Sequence, residues 1–182
     1  MDLWAKDALD TLITANASAL ISGLTIQGTA WATPQITREV VTAPKGNAPY
    51  IAIDIGSYWL SEFYTGQNQA DLGETKYATV EYSVVVEAFW PALPKKDEGQ
   101  VFEGMGADWD KFISRLVKVF YATPSFQDST ATHTFCLSRS GDPRSHRRIE
   151  VETLDNSGED RPYWYSKIRF TLLQRCVDLS QL

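Results

Sequence analysis

Five of the nine arginines, Arg139, Arg144, Arg147, Arg148 and Arg161, fall within 23 positions, with His146 among them and a turn at Gly141-Asp-Pro143. A guanidinium is permanently charged and presents a planar fork of donors that matches a carboxylate or a phosphate. Three uses fit such a segment. It can be a solvated loop paired with Asp128, Asp142, Glu150 and Glu152, a docking element for an acidic protein neighbour, or a contact with nucleic-acid phosphate. Other reactive side chains are sparse. His133 and His146 are the only histidines, stand 13 positions apart and have no Cys or Asp at metal-ligand spacing. No serine sits in a Gly-x-Ser-x-Gly elbow, and no Gly-rich loop follows a strand and opens a helix. Cys136 and Cys176 lie among apolar or strand-forming neighbours and read as small core residues. These residues point to a protein without a catalytic centre, metal or cofactor.

The bulk properties narrow the class further. A chain of 182 residues with 43% hydrophobic content suits one domain with a sizeable core. Seventeen Lys and Arg against 23 Asp and Glu leave a net charge of -6, which disfavours a free DNA-binding domain. No apolar run approaches the roughly 18 residues of a membrane span, and residues 1–7 lack the basic start and apolar core of a signal peptide. A soluble, unexported chain that uses no membrane is expected, and the sequon Asn16-Ala17-Ser18 is then incidental. Aromatic residues make up 12%, many in strand-like segments where wide rings cover a sheet or meet a partner.

Positioning elements follow from periodicity. Trp4, Ala5, Ala8, Leu9, Leu12 and Ile13 make one helical stripe that should end near Ser22-Gly23. Residues 24–31 read as a strand closed by Pro34, and residues 36–43 as a short partner strand. Residues 50–55 alternate, with Ile51, Ile53 and Ile55 on one face. Gly56, Gly66, Gly73 and the polar run between them then predict a long excursion over 56–75. Residues 77–90 form the longest central strand, placing Ala78, Val80, Tyr82, Val84, Val86, Ala88 and Trp90 on one face. Asp108 is a candidate N-cap for a second helix carrying Trp109, Phe112, Ile113, Leu116, Val117 and Phe120, with Pro124 at its end. Three further strands are expected over 130–137, over 148–154 with Ile149 and Val151 inward and Glu150 and Glu152 outward, and over 163–177. The last two form a closing hairpin. The sum is a single α+β domain over 1–182 with a mixed, mainly antiparallel sheet, two helices on one face, and a basic loop over 139–148.

This order of elements resembles the tail-terminator and head-tail joining (neck) proteins of tailed bacteriophages. The likeness is carried by Glu81-Tyr-Ser-Val-Val-Val-Glu-Ala-Phe-Trp90, Asp108-Trp-Asp-Lys-Phe-Ile-Ser-Arg-Leu116, Arg148-Ile-Glu-Val-Glu152 and Tyr163-Trp-Tyr-Ser-Lys-Ile-Arg-Phe-Thr-Leu172. It spans most of the chain as pattern, without an invariant motif. It implies a non-enzymatic virion protein, typically a homohexameric ring, that caps the tail tube and meets the neck or connector protein, with DNA only as cargo passing through. Assembly in the host cytoplasm and residence in the virion tail or neck follow from the same resemblance. A neck or tail-completion adaptor on the portal side is the alternative. A second resemblance is to the Asp and Glu-x-Lys core of one metal-dependent nuclease superfamily, carried by Asp54 and Glu74-Thr-Lys76. It would imply two carboxylates holding Mg²⁺ and a lysine beside the attacking water.

Interface candidates come from the strand faces. Ile168, Phe170 and Leu172 should face the helices, leaving Tyr163, Tyr165, Lys167 and Arg169 as an aromatic and cationic outer row that could seat a neighbouring subunit. Arg139, Arg144, Arg147 and Arg148 join them from the basic loop, and Tyr64 from the aromatic cluster Tyr58, Trp59, Phe63 and Tyr64, which is either an interface anchor or a local core.

Overall fold

Val80, Tyr82, Val84, Val86 and Ala88 alternate along one strand, and all five are fully buried, whereas Glu81, Ser83, Val85, Glu87 and Phe89 between them are half-buried. That two-residue period makes one strand the axis of the fold. The computed structural model describes residues 2–26, 29–37, 48–65, 76–90, 102–123, 125–137, 149–155 and 164–178. Among these residues, two helices, α1 (Asp2–Ile21) and α2 (Phe102–Ala122), accompany nine strands: β1 (Thr25–Ile26), β2 (Thr29–Ala30), β3 (Gln35–Thr37), β4 (Tyr50–Thr65), β5 (Lys76–Phe89), β6 (Phe126–Gln127), β7 (Thr134–Leu137), β8 (Glu150–Asp155) and β9 (Trp164–Asp178). The main sheet runs β3-β4-β5-β9-β7-β6, with β8 also on β9; β3 is parallel to β4 and the other pairs are antiparallel. The expected α+β class, mixed mainly antiparallel sheet and closing β8–β9 hairpin are present.

Both helices lie against the face that carries the buried residues of β5. Ala5, Ala8, Leu9, Leu12, Ile13 and Leu20 of α1 share one core with Trp109, Phe112, Ile113, Leu116 and Phe120 of α2 and with Ile51, Ile53, Ile168, Phe170 and Leu172 of the sheet. The helical and strand periods thus converge on one layer boundary. After α1 the chain turns at Gly23, whose φ of 69° suits a residue without Cβ, and the Leu24 N–H returns to the Ile21 carbonyl. Arg115 of α2 donates to the carbonyls of Leu20 and Ser22, satisfying acceptors that a helix end leaves open.

Several expectations are corrected. Residues 24–31 double back as the β1–β2 pair, and the Trp31 N–H bonds the Leu24 carbonyl, which brings the Trp31 ring against Trp90, Trp109 and Phe112. Helix α2 starts at Phe102, so Asp108 is not its N-cap; its carboxylate accepts from Lys111 and from the Thr25 backbone instead. The helix passes through Gly106, where an added Cβ would lie 3.3 Å from the Trp164 ring, so a residue without one suits the close approach. The long excursion is also shorter than expected. Residues 56–65 extend β4, paired with β5 out to Lys76, and two register shifts, at Ile55/Ser57 and Leu60/Glu62, hide the alternation. Residues 66–75 lie outside the described residues.

Polar groups placed within the core are paired in two places. The Tyr82 hydroxyl donates to Gln174 Oε1 at 2.7 Å, and Trp109 Nε1 donates to Ser166 Oγ at 3.0 Å, which also meets Thr153. Near the N-terminal half of α1, the turn before β7 is built on Asp128, 6% exposed, which accepts from the backbone N–H groups of Thr132 and His133, the Thr130 hydroxyl and His133 Nδ1. The imidazole stacks on Trp4 at 3.9 Å, and Asp7 of α1 accepts the Ser129 N–H, so the turn fastens α1 to the sheet end. These contacts hold Ala131 at φ 55°, a left-handed conformation that costs a residue with a Cβ roughly 1–2 kcal/mol.

Two stability experiments follow. Tyr82→Phe strands the Gln174 acceptor and should cost about 1–3 kcal/mol in urea unfolding, with Tyr82→Phe plus Gln174→Leu recovering part of the loss. Burial raises the Asp128 pKa, but the hydrogen bonds from His133, Thr130 and Thr132 outweigh it and bring the value to about 2, from 3.8 when unfolded. Its stabilising effect is therefore complete above pH 3.8 and disappears as pH falls to about 2. Asp128→Asn should destabilise the protein at pH 7 and differ progressively less from the parent over that acid window in thermal melts.

Candidate subunit interface

The face of the sheet opposite the helices is covered by no other element among the described residues. Cross-strand pairing brings Glu87 of β5, Lys167 of β9 and Glu152 of β8 into one row, with Val85, Arg169 and Glu150 in the next and Phe89 and Tyr165 beyond. Directly opposed residues of an antiparallel pair share a face, so these side chains form one patch. Tyr165, Lys167 and Arg169 are thus gathered as the sequence suggested.

Their electrostatics differ from a bare cationic row. The Tyr165 hydroxyl donates to Glu87 Oε1 at 2.7 Å, Lys167 Nζ lies 3.2 Å from the same oxygen, and Arg169 donates to Glu152 at 3.0 Å. Within these two ion pairs the charges cancel, while Glu150, Asp54 and Glu81 on the same face add carboxylates. Exposed pairs of this kind add only about 0–1 kcal/mol each, so their main effect is to hold the polar groups of the patch already oriented. Burial and then the Glu87 carboxylate push the Tyr165 phenol well above its ordinary value of 10.0. Around this network the same face carries half-buried Val85, Leu173 and Cys136 and the stacked Tyr50–Phe89 pair at 5.5 Å. Cys136 is therefore not the core residue its neighbours suggested.

Other candidates divide between placed and undescribed residues. Tyr64 occupies the register position opposite Tyr77, close to the far end of the β4–β5 hairpin. Tyr163, Arg139, Arg144, Arg147, Arg148 and Arg161 lie outside the described residues. The ends of the basic segment are nevertheless pinned, because Leu137 pairs with Leu172 and Glu150 with Arg169 on the same edge of β9. Val151, expected inside, is 45% exposed: it faces the helix side, but β8 is the outermost strand there. Tyr58 and Trp59 are 46% and 43% exposed, so these two rings are not a local core.

Of the residues that carry the nuclease resemblance, Asp54 is 3.6 Å from Lys6 with its carboxylate largely exposed, and Glu74 is outside the described residues. Among the described residues, no three His, Cys, Asp or Glu side chains gather where they could hold a metal, and no helix is long and apolar enough to cross a membrane. A groove of about 300 Å³ opens on the helix side between Asn16, Leu20, Arg115, Lys118, Val119 and Thr123. The feature that sequence reasoning missed is the carboxylate half of the outer network. Glu87 stands out only as a polar residue in an alternating strand, and its partners lie 78 and 80 positions away.

No protein-family model matches the chain, and no curated protein matches it in sequence.

The outer network has a pH signature. The folded phenol of Tyr165 keeps its proton to higher pH than the unfolded phenol at 10.0, so its stabilisation is whole below pH 10 and is lost as pH rises further. The stability difference between the parent and Tyr165→Phe should accordingly shrink above pH 10 in urea titrations and stay constant from pH 7 to 9.

Proposed function

We propose that this chain is a non-enzymatic subunit that assembles into a ring at the end of a bacteriophage tail tube, as a tail terminator, and binds the tube on one side and the neck on the other. The observation that carries the reading is the division of labour between the two sheet faces. One face is consumed by two helices. The other, which no element among the described residues covers, carries ion-paired polar groups with tyrosine and aliphatic groups between them. Such a surface suits protein recognition, since its charges bring their own counterions and approach of a partner need not strand them. The paired strands β4 and β5, 16 and 14 residues long, give the sheet a long edge for a neighbour. The likeness in element order to tail-terminator and head-tail joining proteins supplies the context, and the net charge of -6 is compatible with DNA passing through without adhering.

Sedimentation velocity on the purified chain, alone and mixed with its tail-tube protein, tests the reading. The expected result is a higher-order species that includes the tube protein. A strict monomer in both samples contradicts it, and binding to isolated heads without binding to tubes points to the portal-side adaptor.

A further inference from the structure

Among the described residues the main sheet has two open edges, and they match. On one side β3 covers only Tyr50 to Ala52 of β4, so residues 53–65 have no strand beside them among the described residues. On the other side β8 is the last strand next to the N-terminal half of β9. An uncovered strand edge presents a row of backbone donors and acceptors that templates pairing with another chain. Each pairing from β4 through β5 and β9 to β8 is antiparallel, so β8 runs opposite to β4. The β8 edge of one copy therefore meets the β4 edge of the next in antiparallel orientation without reversing the sheet.

The exposed apolar side chains fit the same junction. Tyr58 pairs across β4–β5 with fully buried Tyr82, and Val151 pairs across β8–β9 with fully buried Ile168, so both belong to the helix-covered face. Each is nearly half exposed, at 46% and 45%, and each sits on a strand with no described strand beyond it at that position. Singly, an exposed tyrosine or valine is ordinary. Placed at the two open edges and on the same face, they are the aromatic and β-branched halves of a favourable cross-strand pair. Glu152, the charge most able to repel a strand approaching β8, is already bound by Arg169.

We propose that β8 of one subunit adds to the β4 edge of a second copy of this chain, seating Val151 beside Tyr58 and continuing the sheet across the junction. The contact is heterologous, head to tail, and so propagates into a ring or an open filament according to whether its rotation closes. It rests on the ring-forming reading for its biological use, but it concerns the chain alone.

Disulfide trapping tests it. In a background with Cys136→Ser and Cys176→Ser, Tyr58→Cys and Val151→Cys are prepared separately and oxidised with diamide at high protein concentration, each alone and mixed. A covalent dimer in the mixture only, and a ladder from the variant carrying both cysteines, are expected. Dimers from either single variant alone to the same extent, or no dimer in the mixture, overturn the proposal. Hydrogen exchange on the unmodified chain gives an independent measure: amide protection at 53–65 and 150–155 should rise with protein concentration, and a concentration-independent pattern overturns it too. Trapping without tube binding would leave edge pairing standing and remove the tail-terminator reading, and the reverse outcome would remove only the edge pairing.

Discussion

Everything in this fold depends on the two-faced burial of β5. Five fully buried side chains on one side of a 14-residue strand demand a continuous apolar cover, and the two amphipathic helices provide it. The three fully buried valines among them contribute about 1.5–3 kcal/mol each relative to exposure, so the helices cannot be moved to the other face without losing the core. Among the described residues, the opposite face is left without a helix by the same constraint. A pattern that builds the core also creates the surface available to a partner.

Polar groups reinforce that asymmetry. Within the core, Tyr82–Gln174 and Trp109–Ser166–Thr153 join distant strands and α2 through paired groups, which penalises alternative registers because a slip would strand them. On the outer face, Tyr165, Glu87, Lys167, Arg169 and Glu152 do the same at lower energy. At the end of the sheet, Asp128, His133 and Trp4 bind α1 to the turn before β7. The long sheet is thus tied at its centre, on its open face and at one end.

Legibility in the sequence followed the range of the forces involved. The core faces of β5 and β9 and the apolar stripes of both helices could be read residue by residue, because a period of 2 or 3.6 is a local property. The outer half of β4 could not, because two register shifts break its alternation. The first turns of α2 were concealed by Gly104 and Gly106, poor helix formers, the second of which sits against Trp164. Val151 was assigned to the right face, but its exposure depends on β8 lying at the edge, a fact of topology. Lys167 and Arg169 were visible as cations. That Glu87 and Glu152 neutralise them is a matter of cross-strand register, and spacing along the chain does not encode it. His133 has no metal-ligand pattern in the sequence, whereas the turn over residues 128–133 makes it a partner of Asp128.

The measurement closest to the central claim is electron microscopy of purified tail tubes incubated with this protein. A rotationally symmetric ring at one end of each tube, built of identical subunits, is the expected result. Bare tube ends at saturating protein, or protein decorating the tube length without a ring, would contradict it.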